Sequence, residues 1–423
     1  MNSFIKKVVL KKLWDYKDIV CNLNEDINIL IGPNGSSKTT FIMIIEAILK
    51  VDLYSIENIK FDSIRIEIEK QRSIHNIEVK CALSDGIVPV FTYKLDNTEE
   101  ISINMNEHRY LHFKKDPSSN VFVEYLRQRI NQWINVSWLP ITRVNSKIEL
   151  DPEDTDVDRK LRILMRRVVS FKLQLETMIN DRTKKYNEDI VSLLLYNKEY
   201  DSFPNNTEIQ QIMDTSKNEL RTSLHQVFSY FGDARAHSDA IEKHIEGIET
   251  MKSVLNKNGL SAEQLLSFAF LKRTLKMLSL TSDFQKDRVT INEPIRNYIE
   301  LVGSFMKDKS LEFDEKGNPI VYLKKSGTSN KKEIKLTSLS SGEKQLLILL
   351  TETLLQQKNP HVYIADEPEL SLHIEWQRKL VASIMSLNPM AQILFATHAP
   401  EIAANHSNKI INLQKCTRYE YAD

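Results

Sequence analysis

The sequence predicts an α/β fold: a mixed sheet flanked by helices, an antiparallel β-layer beside it, and a helical arm inserted between the two halves. The first observation is a glycine- and serine-rich loop that joins an apolar strand, Ile27–Ile31, to an apolar helix, Phe41–Leu49. The second is a pair of continuous apolar segments, Val362–Ala365 and Ile393–Ala396, typical of buried parallel strands. The third is a long middle region almost without glycine, which favours helices.

Residues 1–150 are predicted to form an N-terminal lobe dominated by strands. Ser63–Ile68 alternates polar and apolar side chains, which is typical of an antiparallel strand with one buried face. Further elements are expected where short apolar runs are bounded by turn residues. They are strands at Ile5–Leu10, Ile77–Val79 and Val88–Lys94, a turn at Asp85-Gly86, and a helix at Val121–Trp133.

Residues 151–310 are predicted to form the inserted helical arm. Apolar residues recur there with the a/d spacing of a short coiled coil or helical hairpin, at Leu161, Leu164, Val168, Phe171, Leu175 and Met178. A second stripe is the candidate for the returning face and comprises Ile241, Ile245, Ile248 and Leu255. The arm is either a helical domain packed on the rest of the protein or a projecting element that grips a partner or DNA. The short heptad run favours a compact arm over a long rod.

Residues 311–423 are predicted to form the C-terminal lobe. It begins with a β-hairpin whose strands are Leu311–Phe313 and Ile320–Leu323. The two buried apolar segments near the end of the chain follow, each flanked by predicted helices, so a parallel sheet is expected. Both of these strands end directly before polar residues that can do chemistry.

The glycine-rich loop has the composition and the setting of a phosphate-binding loop. Its residues are Gly32, Pro33, Asn34, Gly35, Ser36, Ser37, Lys38, Thr39 and Thr40. Glycines allow backbone N–H groups to point at phosphates, Lys38 is expected to reach the terminal phosphates, and Thr39 is expected to bind Mg²⁺. Ser37 stands where this pattern has a glycine; a serine can adopt the backbone needed there if φ stays negative, and it adds a side chain beside the nucleotide.

Three further motifs follow in order, about three hundred residues after the loop. They are Leu339–Gln345, Val362–Glu367 and Ala396–His398. With the loop, this series resembles the ABC-type ATPases, in particular the non-transporter branch that includes the SMC, RecF and OLD-like proteins. The resemblance covers both ends of the chain and not its middle, and it implies a P-loop ABC-type ATPase head that hydrolyses ATP with Mg²⁺.

The resemblance also implies roles for individual residues. Asp366 would hold the Mg²⁺ through water, Glu367 would be the catalytic base, and His398 would contact the γ-phosphate. The signature residues would act on ATP bound by a second subunit, so that catalysis requires a homodimer or a higher homo-oligomer; they are Ser340, Ser341, Gly342 and Glu343.

Two other residues are weaker candidates. Glu369 lies in the segment Pro368–His373, which is similar to a Glu-Leu-x-Leu-His run of OLD-like and RecF-like proteins, and it is the second candidate for the base. Arg143 follows a Leu-Pro pair, as in similar segments of related ATPases. It is either a site-facing or interface arginine or an ordinary surface residue.

Composition limits the classes of partner. The chain has 423 residues with 57 basic and 57 acidic side chains, so no global positive field attracts nucleic acid, and DNA binding would need a local patch. Three cysteines without a CxxC pair fit a reducing compartment. No apolar run is long enough to span a bilayer. We therefore expect a soluble, cytoplasmic protein without a membrane partner.

Three functional hypotheses remain. The favoured one is a nucleotide-dependent dimeric ATPase that acts as sensor or regulator in anti-phage defence, resembling the ATPase subunits of PARIS or Septu systems. Because the chain ends soon after His398, without room for the TOPRIM nuclease domain of OLD proteins, the effector is expected to be a separate protein, a nuclease. The alternative is an autonomous RecF-like or SMC-like DNA-binding repair ATPase. A transporter subunit is the third and fits the Pro368–His373 segment poorly.

Overall fold

A computed structural model describes most of the chain as two compact units. The described residues are 3–84, 88–106, 121–139, 155–195, 197, 207, 210, 213–231, 234–255, 262–314, 317–323 and 331–419. The first unit, called here the head unit, comprises Met1–Phe171 and Pro294–Asp423, and the second, the helical unit, comprises Lys172–Glu293. The predicted turn at Asp85-Gly86 lies outside the described residues.

The β-layer of the head unit is a seven-stranded antiparallel sheet. Its strands are β1 (Ser3–Leu13), β2 (Lys17–Asn22), β4 (Ser63–Lys70), β5 (Ser73–Ser84), β6 (Val88–Leu95), β7 (Ile101–Asn104) and β15 (Thr417–Tyr419). They lie in the order β15-β2-β1-β4-β5-β6-β7. The alternation in the sequence is reproduced by burial, because Ile64, Ile66 and Ile68 are buried on one face of β4.

The second sheet of the head unit has five strands, all parallel. They are β3 (Ile27–Ile31), β8 (Val136–Leu139), β12 (His361–Asp366), β13 (Ala391–Ala396) and β14 (Ile410–Asn412). Their order is β14-β3-β13-β12-β8. The predicted α/β class with a β-layer is therefore confirmed, and β3 and β12, far apart in sequence, both border β13.

A small antiparallel sheet completes the strands. It consists of β9 (Lys309–Phe313), β10 (Pro319–Leu323) and β11 (Lys332–Ile334), in the order β11-β10-β9. The hairpin predicted from the sequence is β9 and β10. The third strand, β11, was not predicted, because its three residues carry no recognisable alternation.

The described helices of eight or more residues and one short helix, in chain order, are α1 (Lys38–Lys50), α2 (Val121–Trp133), α3 (Asp156–Ser192), α4 (Lys217–Phe231), α5 (Ser238–Leu255), α6 (Ala262–Phe305), α7 (Ser341–Leu354), α8 (Ile374–Leu387) and α9 (Pro400–Ala403). Within the described ranges, none of them has both the length and the apolar character needed to cross a bilayer.

The main core lies around α1, between the two large sheets. Phe41, Ile44 and Ile48 of α1 are fully buried in one cluster with side chains from the β-layer and from the parallel sheet. Tyr93 of β6 adds a hydrogen bond from its hydroxyl to the carbonyl of Ile48, at 3.3 Å. Each such apolar side chain contributes about 1.5–3 kcal/mol by burial. The helix that follows the phosphate loop is thus fixed from both sides.

The helical unit has its own core. The contacting buried residues come from α4, α5 and α6 and are Leu220, Leu224, Ile241, Ile245, Ile248 and Leu271. Ile241, Ile245 and Ile248 of the second predicted stripe therefore pack on α4 and α6. Within the same unit α3 packs on α6, where the ring of Tyr186 stacks on Phe284 with centroids 4.6 Å apart and Arg182 pairs with Asp287.

The first predicted seam is divided between the two units. Leu161 and Val168 belong to the head unit and are buried. Met178, at the other end of the seam, belongs to the helical unit and is 53% exposed. Ion pairs fix the start of α3 to α7: Asp158 lies 2.7 Å from Lys344, and Lys160 lies 3.4 Å from Glu352. Because of these contacts, the start of α3 belongs to the head unit. The helical unit, Lys172–Glu293, is therefore shorter than the predicted arm of residues 151–310.

Candidate nucleotide site

The carboxyl ends of three neighbouring strands meet at one edge of the parallel sheet. Ala396, the last residue of β13, is paired with Leu30 of β3 on one side and with Asp366 of β12 on the other. Because all three strands are parallel, the segments that follow them begin side by side. The loop at residues 32–40, the Asp366-Glu367 pair and the Thr397-His398 pair therefore share one site.

The phosphate loop contains two residues with left-handed backbone. Gly35 has φ +78°, which glycine adopts without steric cost. Ser37 has φ +67° and ψ +26°, so the negative φ under which a serine fits this position without strain is not what the loop adopts. A left-handed conformation costs a residue with a Cβ about 1–2 kcal/mol. In this conformation its carbonyl accepts the N–H of Phe41, at 2.9 Å, which is the first hydrogen bond of α1.

Lys17 lies against this part of the loop and was not predicted. Its side chain is buried, and Nζ donates hydrogen bonds to the hydroxyl of Ser37, at 3.1 Å, and to the carbonyl of Gly35, at 3.3 Å. The sequence contained one signal for it: Lys17 lies on the same face of the strand as the buried residues Ile19 and Cys21. A lysine on the buried face of a strand indicates a polar partner inside.

Lys38 is buried at the centre of the site. Its Nζ donates to the carbonyl of Gly32 at 2.9 Å and lies 2.8 Å from Nε2 of His398. Nε2 accepts this bond if the imidazole is neutral with its proton on Nδ1. Burial lowers the pKa of Lys38, while the nearby Glu367 and Asp366 act to raise it. His398 thus holds the ammonium group that the sequence assigns to the terminal phosphates.

Thr39 and Asp366 form a pair suited to Mg²⁺. Burial raises the pKa of Asp366, whereas a hydrogen bond from Thr39 and the charge of Lys38 act to lower it. Oδ1 of Asp366 is buried without a hydrogen-bond partner among the described residues. Mg²⁺ is commonly held in proteins by one or two oxygen side chains together with waters and substrate phosphates. A hydroxyl beside a half-buried carboxylate, one oxygen of which has no partner among the described residues, fits that requirement.

Glu367 follows β12 in a left-handed turn, with φ +47°. Its N–H donates to the carbonyl of Ala396 at 2.8 Å, and Oε2 accepts from the N–H of His398 at 3.4 Å. Burial, followed by the neighbouring Glu369, raises the pKa of Glu367 to about 7. A carboxylate with a pKa near neutrality is a better proton acceptor than an ordinary glutamate.

Glu369 is buried and bonded to the segment after β13. Its Oε1 accepts hydrogen bonds from the Thr397 hydroxyl, from the N–H of His398 at 3.3 Å and from the N–H of Ala399 at 3.1 Å. Its Oε2 is buried without a partner among the described residues. The carboxylate thereby fixes the segment that carries His398, a structural role that the sequence did not indicate.

The predicted signature residues form the start of α7. Ser340 caps the helix: its hydroxyl accepts from the N–H of Glu343 at 3.3 Å, and the Glu343 carboxylate accepts from the N–H of Ser340 at 2.8 Å. Gly342 is buried, and a Cβ placed there would collide with the carbonyl oxygen of Ser371. Ser340 and Ser341 are exposed. Arg143 lies outside the described residues.

Comparison with known proteins adds one family. The AAA ATPase domain family matches residues 4–403. No curated protein matches the chain in sequence.

Several solved structures are similar to the chain. One is the Smc head domain with an extended coiled coil bound to the C-terminal domain of ScpA, from Pyrococcus furiosus, with TM-score 0.45, 14% identity and coverage of 95% of this chain and 92% of that chain. An Smc head bound to the C-winged helix domain of ScpA has TM-score 0.42, 13% identity and coverages of 95% and 92%. The Smc head domain with a coiled coil and joint from Pyrococcus yayanosii has TM-score 0.40, 14% identity and coverages of 95% and 93%.

Proposed function

Because the chain belongs to the AAA ATPase domain family and is an ATP hydrolase, we propose that ATP is hydrolysed at the edge where β3, β12 and β13 end. The observation that supports this placement is the convergence of Lys38, Asp366, Glu367 and His398 from separate segments of the chain. Phosphoryl transfer needs phosphates held in place, charge neutralised and a water oriented. This edge supplies a group for each of these tasks.

The chain's residues divide the tasks as follows. The N–H groups of the loop and of the first turn of α1 bind the phosphates. When ATP binds, Nζ of Lys38 donates to the γ-phosphate instead of to Nε2 of His398. His398 then lies beside the same phosphate. Glu367 accepts a proton from the attacking water. Thr39 and Asp366 would hold Mg²⁺, which when bound supplies positive charge to the β- and γ-phosphates.

The glutamate-to-glutamine variant of the base tests this proposal. Glu367→Gln is expected to bind ATP with nearly unchanged affinity and to slow hydrolysis by about two orders of magnitude or more, because an amide cannot accept the proton. Binding is measured by calorimetry and hydrolysis by phosphate release. Glu375→Gln, the same change at an exposed residue of α8, is the matched control and should hydrolyse at the normal rate. Normal turnover in Glu367→Gln would move the base elsewhere.

The signature residues act, in this proposal, on a nucleotide bound by a second copy. Two observations support it: Ser340 and Ser341 are exposed, and the hydrogen bonds of the cap fix their backbone at the N-terminus of α7. A helix N-terminus with free backbone N–H groups favours an anionic ligand. The functional unit is therefore a homodimer or a higher homo-oligomer of heads that assembles around ATP.

The cellular role we propose is that of a cytoplasmic sensor or regulator in anti-phage defence with a separate effector, a nuclease. The support is the resemblance of the motifs to PARIS and Septu ATPases and the core of the helical unit, which is distinct from the core around α1. The test compares phage plating on cells that carry this gene alone, the gene with its neighbours, or the neighbours with Lys38→Ala. Protection that needs both an intact Lys38 and a neighbouring gene is expected.

Two outcomes would point to other roles. Metal-dependent DNA cleavage by the purified chain, abolished by a point mutation within it, would contradict a separate nuclease. Tight DNA binding by the isolated chain that weakens steeply with salt would instead support the autonomous DNA-binding repair ATPase.

A further inference from the structure

Lys17 occupies a fixed position beside the phosphate loop. It is the first residue of β2, and its backbone is paired with Leu13 of β1 on one side and with Tyr419 of β15 on the other. Its side chain is only 7% exposed. Nζ also lies 5.3 Å from the ring centre of Tyr16. With its backbone in a ladder on both sides and its stem buried, the ammonium group has little freedom to leave the loop.

The partner of Lys17 is the residue whose backbone is strained. Nζ donates to the Ser37 hydroxyl at 3.1 Å and to the Gly35 carbonyl at 3.3 Å, so it bridges the two left-handed residues of the loop. Ser37 immediately precedes Lys38, and its conformation determines the direction in which the first N–H groups of α1 point. A glycine at position 37 would adopt this conformation freely, whereas a serine needs a compensating interaction.

We propose that Lys17 is a positioning residue of the nucleotide site, which holds Ser37 in the left-handed conformation through the serine hydroxyl. The inference rests on the proposed function, since it concerns the same loop. It explains how the loop accepts a serine where the phosphate-loop pattern has glycine: the hydroxyl that comes with the Cβ is the group that binds the lysine. Lys17 and Ser37 then form a functional pair that supports nucleotide binding.

Substitutions at position 37 separate this role from other effects. Ser37→Ala keeps the Cβ and its backbone strain but removes the hydroxyl, whereas Ser37→Gly removes both the strain and the need for a partner. We expect the affinity for MgADP to fall about tenfold in Ser37→Ala, the loss of one hydrogen bond to a charged group, and by less than about threefold in Ser37→Gly, where the strain is lost together with the hydroxyl. Both variants retain Lys17, and neither changes a core residue.

Lys17→Met, alone and combined with each change at position 37, completes a double-mutant cycle. Methionine keeps an unbranched stem and removes the ammonium group. Lys17→Met alone should weaken MgADP binding about tenfold, and the same change added to Ser37→Gly or to Ser37→Ala should weaken it less than about threefold. Affinity is measured by calorimetry on the full chain. The exposed neighbour Lys11→Met is the control for loss of one positive charge and should bind normally.

The outcomes distinguish the alternatives. An equal loss from Lys17→Met in all three backgrounds would overturn the proposal, because the lysine would then act on the nucleotide without Ser37. Equal affinities of Ser37→Ala and the unchanged chain would also overturn it, and this comparison stands even if Lys17→Met does not fold. Failure of the unchanged chain to bind MgADP would refute the proposed nucleotide site itself. Binding without coupling would refute only the role of Lys17.

Discussion

Glu369 differs from Glu367 in what its carboxylate binds, although the two residues are only two positions apart. Oε1 of Glu369 accepts from Thr397, His398 and Ala399, whereas Glu367 receives one long bond from the His398 N–H. Glu369 is also the more buried of the two. This contrast separates a residue that holds the site together from one that is available to a water molecule.

Replacement of each glutamate by alanine should therefore affect different properties. Glu369→Ala leaves the buried Thr397 hydroxyl without its acceptor and removes one of the two acceptors of the His398 and Ala399 N–H groups, and it should lower the free energy of unfolding by about 2 kcal/mol. Glu367→Ala should lower it by less than about 1 kcal/mol while abolishing hydrolysis. Denaturant unfolding and phosphate release measure the two effects. Equal loss of stability in both variants would contradict the structural role of Glu369.

Individual residues also show where sequence patterns fail. The loop motif located the residues from 32 to 40 but not the backbone angle of Ser37, because a pattern of residue types carries no φ value. Lys17 was missed because its contact depends on which strand lies beside the loop. The loop follows β3 of the parallel sheet whereas Lys17 lies in β2 of the β-layer, and the packing of one sheet against the other is a long-range property that local alternation does not report.

At the scale of single elements, α7 combines an exposed N-terminal cap with a tightly packed first turn. Gly342 approaches the carbonyl of Ser371, in the segment that follows β12, and the side-chain amide of Gln345 donates to the Pro368 carbonyl at 3.3 Å. The glycine predicted to face a second subunit is thus also required for packing within one chain. Its loss cannot be interpreted as an interface effect alone.

Alanine at two helical glycines separates these effects. Gly342→Ala places a methyl group against the Ser371 carbonyl, and we expect a loss of about 1–3 kcal/mol of stability even in the monomer. Gly303→Ala, in α6, has open space around the new methyl group and should stabilise by about 0.5–1 kcal/mol through helix propensity. Thermal unfolding without nucleotide measures both. A neutral Gly342→Ala would show that the Ser371 backbone shifts without cost.

Prediction of the elements succeeded where local patterns determine structure. Strand β3 and helix α2 begin and end at the predicted residues, because apolar runs and turn residues mark their limits. The arm was less well defined. A heptad seam predicts that one face of α3 is buried, but it does not identify the element that covers this face. The ion pairs of Asp158 and Lys160 join the first turns of α3 to α7.

At the scale of the whole molecule, the head unit should be less stable in mild acid because of one half-buried histidine. His361, at the start of β12, lies 2.8 Å from the Ser137 hydroxyl. Burial, together with the charge of Lys50, lowers its pKa to about 4. The unfolded chain has the ordinary value of about 6.5 and binds the proton first. Stability is therefore lost as pH falls from about 6.5 towards 4.

The contribution of this histidine can be measured by difference. Between pH 7 and pH 5 it should cost about 2 kcal/mol of unfolding free energy, the value that follows from the two pKa values. His361→Gln keeps a polar partner for Ser137 and does not titrate, so its stability should fall less over the same range. Urea unfolding of both proteins at the two pH values gives the comparison. Parallel loss in the two proteins would show that other groups dominate.

The whole-molecule hypothesis with the most consequences is that each active site is built from two chains. If it is correct, specific ATPase activity should rise with protein concentration as heads associate, and two inactive variants should complement each other. Lys38→Ala removes the cation that we propose binds the phosphates, and Ser341→Arg places a bulky side chain at the exposed start of α7 without entering the core. A mixed dimer contains one site with both lesions and one site with neither.

Mixing equal amounts of the two variants should therefore restore activity. Random pairing gives half mixed dimers with one intact site each, so the mixture should reach about a quarter of normal activity if the sites act independently. The control mixes two variants that are both altered in the phosphate loop. Every site of such a mixed dimer carries a lesion, so the mixture should stay inactive. If the sites are coupled and no activity returns, the concentration series still decides, because full specific activity in a dilute sample that sediments as a monomer is incompatible with a site shared between chains.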